Sequence, residues 1–421
     1  MPPMTGKNPM VSIVMPSFNQ SQFIEAAIES VLAQTFADLE LIVMDGGSTD
    51  GTLAVLERMS LKANGRLRWF SERDRGASHA INKAFRLARA PIVGWLNSDD
   101  LYAPTAVENA NRYFDRNPGA MMVYGVGRHI GGQGADKGEY PSLRPPATIE
   151  AFREQCFICQ PTVFMRRGAL AETGYLDENL LTAFDFDLWL RMFERYPGRI
   201  GFVDATQAYS RLHHECKTMK LRRIVALESM QVTSRALGSA SPNWLYTYLD
   251  EFFSNFPHVS EPTEVKQHLE RTFAEARGYL GAEEREPFDA RLHADARLRV
   301  VQPDAYLNIY PDGWAPPTSV LRVRAASTRW RTVRLTCRHA APQPGALHIN
   351  VFHPSGSTLS KVVTEPGPFS VSVPLDGTDA IPAYWSFVIV TTGAFIPSTL
   401  DSASSDNREL AFLVEGITLE T

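Results

Sequence analysis

The sequence predicts an α/β domain with a mostly parallel sheet, a helical connection and a C-terminal all-β sandwich. Three observations carry this reading. Short apolar runs alternate with helix-length amphipathic stretches through the first half, the pattern of βαβ units. Residues from about 216 to 298 read as helical, punctuated by Pro242, Pro257, Pro262 and Pro287. From about Val300 the pattern changes to short alternating runs such as Leu347–Phe352 and Trp385–Val390, separated by Gly and Pro turns, as in a sandwich. The expected division is 1–215, 216–298 and 299–421.

Val11–Met15 is the first predicted strand, ended by Pro16-Ser17-Phe18-Asn19. A helix follows from about Ser21, read as its N-cap, with Phe23, Ile24, Ala27, Ile28, Val31 and Leu32 on one face. Leu39–Met44 is the second strand and runs into Asp45-Gly46-Gly47-Ser48-Thr49-Asp50-Gly51-Thr52, where Asp50 fits the cap of the next helix. Leu67–Phe70 is the third strand, and Ser78–Ala88 a helix. The fourth strand is Ile92-Val93-Gly94-Trp95-Leu96-Asn97-Ser98-Asp99, an apolar run ending in carboxylates. A helix over Pro104–Asn117, strands over Met121–Val126 and Gln160–Met165, and a helix over Asp185–Tyr196 complete the first domain.

Composition narrows the function. The chain has 421 residues, 44% hydrophobic and 21% charged, enough for two or three cores. Its 42 Lys and Arg against 47 Asp and Glu give a net charge of −5, against a nucleic-acid partner. Four cysteines make no disulfide framework and suit a reducing compartment. Cys156 and Cys159 form a lone C-x-x-C without the second pair that zinc wants, so a structural pair is expected. The leading MPPMTGKNPM lacks a signal-peptide core, and no run approaches the ~20 apolar residues of a membrane span. A cytoplasmic location is therefore expected, or one peripheral to the inner face of the plasma membrane.

Four loops follow the strand ends on one edge of the sheet: Pro16–Asn19, Asp45–Thr52, Glu72–His79 and Asn97–Asp100. Ligands bind along that edge of a parallel sheet. Asp99 and Asp100 can hold Mg²⁺ or Mn²⁺, which takes few protein carboxylates and leaves positions for phosphate oxygens. Asp45 can accept from a base or a ribose, with Gly46 and Gly47 admitting close approach. Arg75 and Lys83 stand near the third loop and can meet a pyrophosphate. The glycine-rich loop matches neither the P-loop nor the dinucleotide fingerprint.

The motifs P-S-F-N, D-G-G-S-T-D-G-T, R-G-A-S-H-A-I-N-K, L-N-S-D-D and D-F-D-L-W-L-R, in this order, resemble the family 2 glycosyltransferases of GT-A fold, a Rossmann-like architecture. The resemblance covers about residues 10–215. It implies an inverting, metal-dependent enzyme that moves a sugar from a nucleoside-diphosphate sugar to a hydroxyl of a glycan or lipid-linked acceptor, as in bacterial surface polysaccharide synthesis. It places Pro16, Asn19 and Asp45 at the nucleotide and Asp99 at the metal, with Asp100 as neighbour. Ser17, Arg75, Asn82, Asn97, Ser98 and His213 join the nucleotide-sugar set. Asp185 becomes the base that deprotonates the acceptor; Asp187, two residues on, faces elsewhere and is structural.

Two positions depart from the family pattern. Asn97 stands at the first acid of the D-x-D motif, and Phe184 where a Glu often precedes the catalytic Asp. They keep open a catalytically silent carbohydrate-binding protein on this scaffold. A sugar nucleotidyltransferase is a third reading, but Pro16–Gln20 lacks the Gly-rich, basic loop it needs. Arg211, His213 and Lys217 lie in a segment resembling one that closes over the pyrophosphate. Lys217, Lys220, Arg222 and Arg223 form a basic cluster, either a solvated helix face or a contact to an anionic membrane or lipid diphosphate. The last segment, Phe395–Leu410, resembles β-modules appended to bacterial glycosyltransferases. Its neighbours Trp314, Trp330 and Trp385 are either core or a sugar-stacking platform.

Overall fold

In β1 (Val11–Ser17) and β2 (Leu39–Asp45) every residue is buried, the mark of central strands covered on both faces. The structure, a computed structural model, describes residues 8–254, 262–324, 330–340, 345–375, 384–400 and 403–421. The start of the leader reading, Met1–Lys7, and the predicted breaker Pro257 lie outside these residues. The chain divides into two compact units, Met1–Trp244 and Leu245–Thr421.

The first unit continues through α1 (Ile24–Leu32), α2 (Thr52–Lys62), β3 (Leu67–Ser71), α3 (Ala77–Leu87), β4 (Ile92–Trp95), β5 (Leu101–Tyr102) and α4 (Ala106–Arg116). Then come β6 (Met122–Gly131), β7 (Asp136–Glu139), β8 (Phe164–Arg166), α5 (Arg167–Thr173), α6 (Phe184–Arg195) and β9 (Ile200–Leu212). Two helices, α7 (Lys217–Lys220) and α8 (Arg222–Leu237), follow within the same unit. The sheet order is β3-β2-β1-β4-β8-β6-β9-β5, with β7 hairpinned on β6. β3, β2, β1 and β4 are parallel, so the four predicted loops do leave one edge. β8 runs antiparallel between β4 and β6, while β9 returns parallel to β6. The sheet is therefore mixed beyond β4.

The strand period of two sends alternate side chains to opposite faces. Val14, Ile42, Met44 and Val93 join α3 and α6 in one core. Ile13, Met15, Leu41 and Val43 join α1, α2 and α4 in the other. This is a three-layer α/β domain.

Several boundaries differ from expectation. Ser21 does not cap α1: residues 21–23 form a turn, and the Ser21 N–H donates to Asp50 Oδ2 at 3.0 Å. Gly51 precedes α2, and Asp50 accepts from Thr52 N–H at 2.9 Å, so Asp50 ties the two helix entrances together. β4 ends at Trp95, and Asp99 stands on the turn beyond it. Gln160–Thr162 is a 3₁₀ turn, with strand structure only from Phe164.

The second unit carries most of α9 (Asn243–Ser254), then α10 (Pro262–Gly278), α11 (Ala282–Ala294) and α12 (Ala296–Arg299). Pro262 opens α10, as a punctuating proline does, whereas Pro287 lies inside α11 and ends no helix. The strands are β10 (Ala305–Leu307), β11 (Thr318–Arg324), β12 (Thr332–His339), β13 (Leu347–Phe352), β14 (Thr358–Val363), β15 (Gly367–Pro374) and β16 (Tyr384–Thr392). α13 (Pro397–Leu400) and β17 (Leu413–Glu420) close the chain. Among the described residues they form antiparallel sheets β10-β11-β16-β13-β14 and β15-β12-β17. Leu321, Ile349 and Phe387 of the first share a core with Leu335, Val371 and Val414 of the second, a sandwich. Trp385 belongs to that core, Trp330 packs on it and donates to Asp304 at 3.1 Å, and Trp314 meets Phe395 edge-on. Trp385 therefore cannot serve a stacking platform. Among the described residues no helix is long and apolar enough to cross a membrane.

Candidate active site

The loops at the parallel edge are built on one another. Asp45, 1% exposed at the end of β2, accepts from Gly47 N–H at 3.0 Å, Ser48 N–H at 2.9 Å and Ser71 Oγ at 2.6 Å, and from the Ser48 hydroxyl. Its carboxylate thus shapes the Gly46-Gly47 turn. Asn19, at φ 53° in the left-handed region where Asn is tolerated, donates N–H to Ser48 Oγ at 2.8 Å and accepts from Thr49 N–H at 2.9 Å. The β1 and β2 loops are thereby one body. Pro16 and Ser17 are buried within β1 below it. Phe18 projects outward, 58% exposed, and a Cβ at Gly46 would sit 3.3 Å from its ring. Sequence reasoning passed over this exposed ring beside a glycine turn.

The next loop is held from below. Asn97 accepts from Trp95 Nε1 at 2.9 Å and donates to Gln160 Oε1 at 2.9 Å and Asp100 Oδ2 at 3.2 Å. Gln160 donates in turn to the Trp95 carbonyl at 2.8 Å. An Asp at 97 would lose both donated bonds and face the Asp100 carboxylate, a local reason for Asn. Ser98 is buried. Asp100 is 3% exposed and accepts Arg211 N–H at 2.7 Å. Burial, and next the charge of Asp99, push its pKa well above the usual carboxylate value. Asp100 is therefore turned inward, not placed as a metal ligand.

Asp99 is the carboxylate that faces outward. Its Oδ2 lies 3.1 Å from His213 Nε2, just past the end of β9, and the His213 ring packs 4.9 Å from Phe23. Arg211 is 8% exposed and donates to the carbonyls of Asp99 at 2.7 Å, Gly131 at 3.2 Å and Gly132 at 3.1 Å. Through those bonds Arg211 braces the Asp99 loop. Asp99 and His213 offer one oxygen and one nitrogen to a divalent cation and leave its other positions to phosphate and water; the carboxylate suits Mg²⁺ or Mn²⁺, while the imidazole suits a transition metal rather than Mg²⁺. Among the described residues no cluster of three such ligands exists.

Asp185 stands at the head of α6, partly buried, accepting Phe186 N–H at 2.7 Å. Burial pushes its pKa up to about 6, with that N–H opposing. Phe184, in the place of the family Glu, stacks on Trp95 with centroids 5.8 Å apart. That stack joins the head of α6 to the end of β4. Lys217 Nζ stands 5.5 Å from the Phe184 ring and donates to Leu181 O at 3.3 Å. Asp187 is 2% exposed and accepts from Arg191 at 2.9 and 2.7 Å and from Arg235.

Of the other expected ligands, Asn82 is turned to structural use and Arg75 lies in an exposed ion pair. Asn82 is 2% exposed, with its amide bonded both ways to Leu176 at 3.0 Å and to Glu178 at 3.0 Å. Its short polar side chain pins the 176–178 loop to α3 and leaves nothing for a ligand. Arg75 pairs with Glu178, and Lys83 with Glu72 at 2.8 Å. Cys156 and Cys159 are free thiols; burial raises both pKa values, Cys156 to about 12. They are packing residues.

The Glycosyl transferase family 2 profile matches residues 12–174. The N-terminal unit carries a family 2 glycosyl transferase domain. Its curated relatives include the chondroitin synthase of Escherichia coli, 32% identical over 192 residues, covering 45% of this chain and 27% of that protein. The hyaluronan synthase of Pasteurella multocida is 30% identical over 189 residues, covering 44% and 19%. The chain thus spans under a third of the length of either. Staphylococcus aureus TarS 1–349, solved in complex with UDP-GlcNAc, superposes with a TM-score of 0.50 at 19% identity, over 69% of this chain and 86% of that one, a likeness of fold. The transferase domain so matched contains Asp45, Asp99 and the Asn97 bracket; Asp185 and His213 lie beyond residue 174, within the first unit.

Proposed function

We propose that the protein transfers a sugar, with inversion, from a nucleoside-diphosphate sugar to a hydroxyl of a glycan or lipid-linked acceptor. The observation that supports this best is the Trp95–Phe184 stack, which joins the helix head bearing an ionisable carboxylate with a pKa near 6 to the strand that leads into the Asp99 turn, where His213 from the end of β9 meets Asp99. The Gly46-Gly47 turn and the exposed Phe18 offer a backbone surface and an aromatic face for the nucleotide. A divalent cation held by Asp99 and His213 would neutralise charge on the leaving diphosphate. Asp185 accepts the acceptor proton as the hydroxyl oxygen bonds to the anomeric carbon and the bond to the diphosphate oxygen breaks. A raised pKa makes Asp185 a stronger base than an ordinary aspartate, while still ionised at neutral pH. Pro16, Ser17 and Asn19 support the nucleotide from the first loop. Lys217, Lys220, Arg222 and Arg223 lie on α7 and α8, where an anionic lipid-linked acceptor or membrane surface would find charge complementarity.

The test is release of nucleoside diphosphate from UDP- and GDP-sugars, with UDP-GlcNAc first, measured with and without oligosaccharide acceptors. Acceptor-dependent release that EDTA abolishes and Mg²⁺ or Mn²⁺ restores supports the reading. Release undiminished by EDTA removes the metal. Sugar binding without release from any donor supports the silent carbohydrate-binding alternative that Phe184 keeps open.

A further inference from the structure

The turn before α6 is held by a residue that no motif marks. From α8, Glu228 Oε1 accepts Leu181 N–H at 2.8 Å. Its Oε2 accepts Thr182 N–H at 2.7 Å, Thr182 Oγ1 at 2.7 Å and Ala183 N–H at 2.9 Å. These are the donors of the turn leading into α6, and Ala183 N–H belongs to the helix's N-cap residue, whose N–H has no intrahelical partner. The N-cap residue Ala183 has no side chain able to cap, and within the first turn only Asp185 accepts a backbone N–H, that of Phe186. Glu228 holds that entrance from a helix more than forty residues away in sequence. A carboxylate there also suits the positive end of the α6 dipole.

Two turns along α8, Arg235 holds Asp187 of α6. Residues 228 and 235 are seven apart and therefore share a face of α8. α8 thus grips α6 at its turn and its first coil, immediately before and after Asp185. Lys217 extends the grip by donating to the Leu181 carbonyl, while the N–H of the same residue goes to Glu228.

We propose that Glu228 is a positioning residue for the transfer reaction, fixing through three backbone N–H groups the turn that sets where Asp185 stands. The role rests on the transferase reading of Asp185. It differs from general structural support because the affected atoms are those of residues 181–183, leaving the nucleotide loops at Asn19, Asp45 and Asp99 held by their own bonds. Glu228→Gln replaces one acceptor oxygen by an NH₂ that opposes the turn's donors. Misplacement of a reacting group by about 1 Å costs on the order of 10²-fold in rate.

The experiment is a double-mutant cycle on the full chain: wild type, Glu228→Gln, Asp185→Asn and the double variant. Each is assayed for kcat, donor KM and amide hydrogen exchange. Glu228→Gln should lower kcat by about tenfold to 10²-fold, leave donor KM within about twofold, and speed exchange selectively at Leu181, Thr182 and Ala183. In the Asp185→Asn background the same substitution should cost little more, the non-additivity of residues acting as a unit. Glu228→Asp, which keeps the charge on a shorter arm, should recover part of kcat. Wild-type kcat and protected amides in Glu228→Gln overturn the proposal, as does a parallel loss of kcat, donor binding and exchange protection throughout the unit. If Asp185→Asn stays active while Glu228→Gln loses kcat with local exchange, the base assignment fails and the hold of Glu228 on the turn stands. If Asp185→Asn is inactive and Glu228→Gln is normal, the base assignment stands and the proposal fails.

Discussion

Asp185 and Asp187 stand two residues apart on α6 and have opposite surroundings. Asp187 meets two guanidinium groups; Asp185 meets one N–H and apolar neighbours, and burial raises its pKa to about 6. Asp185→Asn should reduce kcat by about 10² to 10⁴ with nucleotide affinity kept, and wild-type kcat should fall as pH drops through about 6. The stability sign is the reverse of the usual carboxylate. The folded state binds the Asp185 proton more tightly than the unfolded chain, so stability falls as pH rises from about 4 to about 6. Asp185→Asn should therefore be more stable than wild type at pH 7, by on the order of 1–2 kcal/mol, with the difference in Tm vanishing at acid pH. Asp187→Asn should do the opposite: it leaves Arg191 without its buried partner, costing about 2–3 kcal/mol by denaturant titration, discounted for the exposure of Arg235. Its kcat should stay far nearer wild type than that of Asp185→Asn. Equal stability losses in the two variants would sink this division of roles.

At the scale of elements, β4 is short but tightly set. Gly94 lies between β1 and β8, and a Cβ there would meet Tyr102 Oη at 2.8 Å and Phe164 at 2.9 Å. Gly94→Ala should cost about 1–3 kcal/mol by overpacking and displace the Asp99 turn, seen as a lower melting temperature with weaker nucleotide binding; an unchanged melting temperature would contradict it. The alternation β1-α1-β2-α2-β3-α3-β4 was legible because β1, β2 and β4 are buried on both faces, β3 is a short apolar run on the sheet edge, and each helix has one apolar side. β9 was not: its thirteen residues mix buried and exposed positions, with register shifts against β6. β5, with two residues, carries no period at all. Within the site, Asp45, Asp99 and Asp185 were legible as acids at element ends. Arg211, Gln160 and Glu228 acquire meaning only from partners far along the chain, so their roles needed the fold. The inward turn of Asn82 and Asp100 is likewise a matter of packing that spacing does not encode.

For the molecule as a whole, the boundary between compact units at Trp244 matters more than the composition change near Val300. The helices α7 and α8, expected in a connection from residue 216, contribute the bonds that hold α6. Trp244 itself donates to the Arg153 carbonyl at 3.0 Å and packs against Phe186. A chain ending after Trp244 should fold, melt in one transition and bind nucleoside diphosphate. One ending at Glu215 should lose the α6 grip and show a lower, broader transition by calorimetry. Nucleotide binding by the shorter chain with an unchanged transition would place the boundary at 215 after all.

The Asp45 carboxylate, with its donors all drawn from the adjoining loops, has a further consequence. A turn that is already ordered has little conformational freedom left to lose when a ligand settles on the Gly46-Gly47 backbone. A nucleotide settling on this edge would therefore meet a turn whose disorder has been removed in advance. Binding there should register in a calorimeter with a small entropic penalty, and loosening the turn through Asp45→Ala should enlarge that penalty before it removes any contact.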